Sequence, residues 1–276
     1  MKIFVTGATG YIGSAVVGEL IRAGHQVVGL TRSDRGAAAL KAAGAEAHTG
    51  TLEDLDSLQS GAAAADGVIH LAFRHDFSDF AGSLGMDLRA VEAMGESLKG
   101  SGKPFVMTAH ANGEASEQAA LALTSQGVRA SIVSLAPTVH GEGDKGFVPR
   151  LIDIAREKGV AAYVGDGTNR WPAIHRLDAA SLFRLAAESA PAGARLDGVH
   201  DEGVPFRDIA SVIGKHLGLP TVSISREEAN DHFGFLGMLA ALDIPRSSAQ
   251  TQALLGWRPV HAALIPDLEQ GHYFSK

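Results

Sequence analysis

Three glycines near the amino terminus, in Thr6-Gly-Ala-Thr-Gly-Tyr-Ile-Gly13, stand where a short apolar run gives way to an amphipathic one. Their spacing suits the holding of a phosphate. Gly7 lets the chain turn sharply off a strand over 2–6, Gly10 has no Cβ to keep an anion from the backbone, and Gly13 lets the next helix lie close to the sheet. The N–H groups and dipole at the start of that helix then face the anion. Gly7, Thr9, Gly10, Tyr11, Ile12 and Gly13 are the candidate contacts to a pyrophosphate; a purely structural strand-to-helix turn is the alternative. A second set follows in Leu30-Thr-Arg-Ser-Asp-Arg35. In dinucleotide folds the end of the second strand reads the adenosine ribose, through an acid for NAD or an arginine for NADP. Arg32 and Arg35, with the hydroxyls of Thr31 and Ser33, make a phosphate receiver and favour NADP, whereas Asp34 turned inward would favour NAD.

A third set lies at the end of the apolar run Pro104-Phe-Val-Met-Thr108. Thr108 is placed to bond a substrate carbonyl or a nicotinamide amide. Two residues on, His110 is the candidate proton carrier, because an unperturbed imidazole titrates close to neutrality. A strand threonine and an exposed loop histidine are the plainer readings of the same two residues.

These residues need a frame, and the hydrophobic pattern supplies one. Helix one is predicted over 11–23, with Ile12, Val16, Leu20 and Ala23 on one face and a stop at Gly24. Strand two is predicted over 25–30. The unit then recurs: a helix over 35–43, strand 45–48, helix 52–63, strand 67–72, helix 77–98 with Leu84, Leu88, Val91 and Met94 inward, strand 104–108, helix 115–125 and strand 129–135. Strands apolar throughout, such as Ile3-Phe-Val5, suit a parallel sheet covered on both faces. The fold class is therefore α/β, a doubly wound parallel Rossmann sheet with a smaller C-terminal, substrate-facing lobe. The dinucleotide-binding domain is placed at 1–158. A mixed α/β lobe at 159–276 is expected over the carboxyl edge of the sheet, with some segments returning to that sheet.

The glycine pattern resembles the short-chain dehydrogenase/reductase superfamily, and Gly-Ala-Thr-Gly-Tyr-Ile-Gly is similar to its extended and atypical branches. The resemblance implies further sites. His48-Thr-Gly-Thr-Leu-Glu-Asp54 resembles the adenine-side segment, which brings in Thr51 and Leu52, with Thr51 where a carboxylate is usual. Val68-Ile-His-Leu-Ala72 resembles the strand behind the cofactor, bringing in Leu71, Ala72 and Phe73, with His70 read as buried. Leu135-Ala-Pro-Thr-Val-His-Gly141 is similar to the segment flanking the nicotinamide, which assigns Pro137, Val139 and His140 to the cofactor and His140 also to the substrate pocket. A packed structural role is the other reading of His140. Arg170-Trp-Pro-Ala-Ile-His-Arg-Leu-Asp178 resembles a stretch bordering the substrate cleft and adds Trp171 and His175. Gly256-Trp-Arg-Pro259 resembles a segment whose tryptophan anchors the last helix.

The superfamily's usual acid–base pair is a tyrosine with a lysine four residues later. Here those positions fall on Gly113 and Glu117, so the pair is missing. The resemblance then implies an atypical NADP-dependent oxidoreductase acting on a small carbonyl or alcohol. The alternatives are a catalytically silent NADP(H)-binding sensor of the NmrA-like kind, with a protein partner, and a nucleotide-sugar epimerase or dehydratase.

Composition bounds the rest. A net charge of −7 and a pI near 5.9 argue against nucleic acid or an anionic membrane as partner. The chain has no cysteine, which removes disulfides, thiolate metal sites and cysteine nucleophiles. Twelve histidines invite a metal, yet no ligand spacing appears and none is expected. With a strand starting at Lys2 and no long apolar run, the expected location is cytoplasmic.

Overall fold

The computed structural model describes residues 1–76 and 78–275. In chain order the elements are β1 (Lys2–Thr6), α1 (Tyr11–Arg22), β2 (Gln26–Thr31), α2 (Asp34–Ala42), β3 (Glu46–Thr49), α3 (Leu55–Ala63), β4 (Gly67–His70), α4 (Phe80–Glu96), β5 (Pro104–Thr108), α5 (Glu114–Ala122) and β6 (Arg129–Leu135). Then come β7 (Thr138–His140), α6 (Phe147–Lys158), β8 (Ala161–Val164), β9 (Arg170–His175), α7 (Arg176–Ser189), β10 (Ala194–Gly198), β11 (Asp201–Pro205), α8 (Phe206–Leu217), β12 (Thr221–Ile224), α9 (Ala229–Phe233), α10 (Gly237–Ala240), α11 (Ala249–Leu255) and α12 (Leu264–Glu269).

Backbone contacts sort the chain into two units. One comprises Met1–Ser134, Ala179–Leu196 and Gln250–Trp257; the other comprises Leu135–Asp178, Asp197–Ala249 and Arg258–Lys276. The single cut expected at 158 differs from this interleaved division. The second unit already starts at Leu135, while most of α7, the start of β10 and most of α11 go with the first.

The first unit is built on a seven-stranded sheet of order β10-β6-β5-β4-β1-β2-β3. Neighbours from β5–β6 through β2–β3 pair in parallel, as a doubly wound sheet requires. The order reverses at β1, which has β2 on one side and β4 on the other, so the carboxyl ends of β1 and β4 flank the switch point where such sheets take ligands. Ile3, Phe4 and Val5 are fully buried because both faces are covered. One face packs Phe4, Val68 and Phe105 against Leu58 of α3 and Val91 and Met94 of α4.

The second unit holds a three-stranded sheet of order β11-β9-β7, with β7–β9 parallel and β11–β9 antiparallel, and a parallel pair β12-β8. Its core gathers Leu151, Ile152 and Ala155 of α6, Ile209 and Ile213 of α8, and Trp171, Phe206 and Phe233.

Several boundaries differ from the sequence reading. Phe77, where helix 77–98 was to begin, lies outside the described residues; α4 starts at Phe80, after Asp79 accepts a hydrogen bond from Gly82 N. The helix expected over 115–125 divides into α5 and a 3₁₀ turn at Leu123–Gln126. The strand β7 was not foreseen, since three residues after Pro137 carry no period. Nor was β11, where Asp201, Glu202 and Gly203 disguise a strand. Among the described residues no helix is long and apolar enough to cross a membrane.

Candidate functional site

The loop between β1 and α1 takes the shape its glycines permit. Gly7 has φ +68°, and a Cβ there would stand 2.8 Å from Ala72 N and 2.9 Å from Leu71 C, so β1 turns directly against the end of β4. Gly10 N donates to Gly7 O at 2.9 Å and closes the turn. A Cβ on Gly13 would lie 2.0 Å from Gly7 O. Gly13 therefore makes room for the loop itself, and not for the sheet as its spacing had suggested. Thr9 and Gly10 are exposed, and Tyr11 and Ile12 half-buried.

The start of α1 also differs from its neighbours. The first turns of α2, α3 and α4 are capped by side chains of Ser33, Asp54 and Asp79, whereas Gly10 offers none and the first turn of α1 has no acid. Its leading N–H groups are left for an anion. A dinucleotide pyrophosphate fits this loop.

At the adenosine end the four expected residues divide. Thr31 is buried, and its hydroxyl donates to Ser33 O at 3.4 Å. Ser33 Oγ accepts from Gly36 N at 3.2 Å as the cap of α2. Both hydroxyls are engaged in the β2–α2 turn, while the Ser33 side chain, which only accepts there, stays exposed. Arg32 and Arg35 are exposed, and among the described residues neither has an ion-pair or hydrogen-bond partner. Asp34 is exposed in the first turn of α2. Thr51 Oγ1 accepts from Glu53 N at 3.2 Å, and Leu52 packs on the sheet core.

Beside the loop, a buried polar chain joins three elements of the first unit, β1, β4 and α4. Thr6, the last residue of β1, is in register with His70, the last of β4. Thr6 Oγ1 accepts from Leu71 N and Ala72 N, both at 3.2 Å, and meets His70 Nδ1 at 2.6 Å. With two donors already on its oxygen, Thr6 gives its own proton to Nδ1, and His70 carries its hydrogen on Nε2. That Nε2 donates to Asp87 Oδ1 on α4 at 3.1 Å. Asp87 is 1% exposed. Burial alone would raise its pKa, but the hydrogen bond and charge of His70, with smaller contributions from Ser116 and His110, hold it below the usual value.

Thr108 and His110 follow at the carboxyl end of β5. Thr108 Oγ1 is buried without a hydrogen-bond partner. His110 Nε2 is likewise buried and unbonded, 4.0 Å from Asp87 Oδ1, and the ring lies on Phe73 with centroids 4.3 Å apart. Burial pushes His110 down to about 4, and His70 and His75 push the same way, while Asp87 opposes them. Burial thus moves His110 away from the unperturbed imidazole and toward its neutral form.

The positions of the usual Tyr/Lys pair do structural work. Gly113 precedes the first turn of α5, and Glu117 forms an ion pair with Arg195.

The residues assigned to the nicotinamide and substrate from the second unit stand differently. Pro137 and Val139 are half-buried, and Thr138 to His140 pair with β9 as a strand. The His140 side chain is fully buried, its Nδ1 2.8 Å from Asp267 Oδ2, the environment of a packed histidine. Trp171 is fully buried and donates from Nε1 to Leu239 O at 3.2 Å, between Phe147 and Phe206; it is core and not a pocket wall. His175 stacks on His261 at 4.9 Å and is pushed down to about 4 by burial and by neighbouring His140. Asp178 accepts from Val260 N, His261 N and His261 Nδ1, which ties down the segment before α12. Trp257 is buried in the first unit and donates to Ser181 Oγ of α7 at 2.9 Å.

Two groups escaped the sequence reading. One is Asp87. The other is the pairing of His140 with Asp267 and of Asp178 with His261, residues 127 and 83 positions apart. Among the described residues no three His, Asp or Glu side chains converge as metal ligands.

Comparison with known proteins follows the same lines. Residues 3–82 match the NAD dependent epimerase/dehydratase family. An uncharacterized protein of Schizosaccharomyces pombe is 49% identical over 295 aligned positions, spanning 99% of this chain and 100% of the relative. A 4-hydroxy-2-methyl-3-oxo-4-farnesyl-3,4-dihydroquinoline-1-oxide ketoreductase of Stigmatella aurantiaca is 26% identical, spanning 96% of this chain and 82% of the relative. Among solved structures, a dTDP-glucose 4,6-dehydratase of Streptomyces venezuelae with NAD bound superposes with a TM-score of 0.75 at 16% identity, over 98% of this chain and 96% of the other; the likeness is one of fold.

Proposed function

Because this chain belongs to the extended branch of the short-chain dehydrogenase/reductase superfamily, we propose that it is an atypical NADP-dependent oxidoreductase acting on a small carbonyl or alcohol. The observation that carries the reading is the uncapped start of α1 against the end of β4, in a unit that also leaves Arg32 and Arg35 unpaired. The glycine loop and α1 would hold the pyrophosphate, and the two arginines the additional phosphate. The nucleotide supplies or accepts the hydride. The ketoreductase among the relatives supports a carbonyl as the other partner.

His110 serves as the proton carrier. In alcohol oxidation the hydroxyl proton passes to its neutral ring; in carbonyl reduction the protonated ring returns it. With the ring at about 4, oxidation should reach its plateau above that pH, and reduction should climb as pH falls toward it. Thr108, whose buried hydroxyl has no partner, is the candidate bond to the substrate oxygen.

The test is NADPH oxidation over a panel of ketones and 3-oxo compounds, with NADP⁺ reduction over the matching alcohols, in wild type and His110→Ala. Loss of at least a hundredfold in His110→Ala is expected. Equal turnover in the two proteins would remove His110 from the chemistry.

One observation favours a second reading, a nucleotide-binding sensor without catalysis. The Tyr and Lys positions are occupied by Gly113 and the ion-paired Glu117. Tight NADPH binding with no turnover on either panel would select it.

A further inference from the structure

We propose that Asp87 is the positioning residue for His110, holding the ring's inner nitrogen, Nε2, so that the outer one, Nδ1, is presented to the reacting oxygen. The inference rests on the reading of His110 as proton carrier and adds what aims it.

Two buried polar atoms in this region are incomplete. Asp87 Oδ2 has no hydrogen-bond partner, and neither does His110 Nε2. A carboxylate oxygen and an imidazole nitrogen left so in a low-dielectric interior are each destabilising, and the oxygen that Nε2 approaches, Oδ1, is the one that already accepts from His70. Nε2 already stands 4.0 Å from Oδ1 of the same carboxylate, about 1 Å beyond a hydrogen bond. The second ring nitrogen, Nδ1, is not among the buried unbonded atoms. The histidine therefore has one nitrogen toward a buried carboxylate and the other accessible, the division of labour that lets an acid behind a histidine fix its tautomer and direction.

Asp87 is itself held. His70 donates to Oδ1, and His70 is fixed by Thr6, which also takes the N–H groups of Leu71 and Ala72. The carboxylate that aims His110 is thus braced by the last residue of β1, immediately before the glycine loop. The groups facing the His110 ring are Asp87 from α4, His70 from β4, and His75 and Phe73 from the segment after β4. Of these only Asp87 favours the protonated ring. Both histidines oppose it.

The experiment uses the full-length protein and reads His110 directly. Nitrogen-resolved NMR of the imidazoles in wild type should show His110 with its hydrogen on Nε2 and Nδ1 unprotonated. Asp87→Asn keeps an acceptor for His70 and removes the charge, so the His110 titration should move to lower pH and the tautomer preference should weaken. In turnover, Asp87→Asn should lower kcat at least tenfold, leave KM and NADPH affinity within about twofold, and move the pH limb downward with the NMR titration. An Nδ1–H tautomer in wild type, or an unchanged His110 titration in Asp87→Asn, overturns the proposal. Wild-type protein that binds NADPH but turns over no substrate overturns the proton-carrier reading beneath it, and the NMR result then reports separately whether Asp87 holds the ring. The wild-type tautomer needs no variant to fold.

Discussion

Two glycines on α1 permit a controlled perturbation of the nucleotide loop. A Cβ on Gly13 would stand 2.0 Å from Gly7 O and 2.8 Å from Gly7 C, about 1.4 Å short of an ordinary contact. A Cβ on Gly18, five residues along the same helix, would meet nothing within 4 Å. Gly18→Ala should therefore express helix propensity alone, a gain of about 1 kcal/mol that raises Tm by about 2 °C. Gly13→Ala must instead push away the Gly7 carbonyl that accepts from Gly10 N and closes the turn. Overpacking of this kind costs about 1–3 kcal/mol, and the distortion falls on the backbone that would cradle the pyrophosphate. The expected result is a lower Tm in Gly13→Ala with NADPH affinity reduced at least tenfold, against a higher Tm with unchanged affinity in Gly18→Ala. Thermal melts and calorimetric titration with NADPH read both. Wild-type affinity in Gly13→Ala would refute the assignment of this loop.

Two further outcomes follow from the buried polar groups. His110 and His175 both lie at about 4 in the folded chain against an unperturbed 6.5, so the unfolded chain binds protons that the native chain refuses. Stability present above pH 6.5 should fall as pH drops toward 4, by about 3 kcal/mol from largely buried His110 and by less from half-exposed His175. Urea midpoints across that range should show the decline, and His110→Gln should flatten it. A flat wild-type profile would contradict the burial assigned to these rings. Asp178→Ala strips the acceptor from Val260 N, His261 N and His261 Nδ1, and should lower stability by about 3 kcal/mol. A chemical denaturation midpoint unchanged from wild type would show that segment to be held by other contacts.

The parts of the structure that sequence spacing specifies are those made by neighbours in the chain. The β1–α1 loop was legible because a turn, a close approach and a helix start each need glycine at a set interval. Arg32 and Arg35 stand exposed after β2, as their place in the sequence implies, but the use of Thr31 and Ser33 within the turn was not legible, since either hydroxyl could equally have faced a ligand. Asp87 was missed because the apolar stripe of α4 had been drawn through Leu84 and Leu88. Val91 and Met94 of that stripe are buried, but Leu84 and Leu88 are only half-buried while the helix also buries Ser83, Met86, Asp87 and Ala90, and a search for apolar period passes over an acid in the buried face. The burial of His70 was legible from its strand, although its role as the link between Thr6 and Asp87 needed coordinates. His140 shows the remaining limit: its partner Asp267 lies 127 residues away, so nothing local distinguishes a packed ring from a ligand contact.

The affinity of the wild-type chain for the two nicotinamide nucleotides, measured calorimetrically beside an Arg32→Ala/Arg35→Ala variant, tests the nucleotide site most directly. The prediction is binding of both, with NADPH at least tenfold tighter than NADH, and loss of that preference in the variant with NADH affinity unchanged. Absence of binding by either nucleotide would contradict the central claim, and a wild-type preference for NADH would contradict the role given to the arginines.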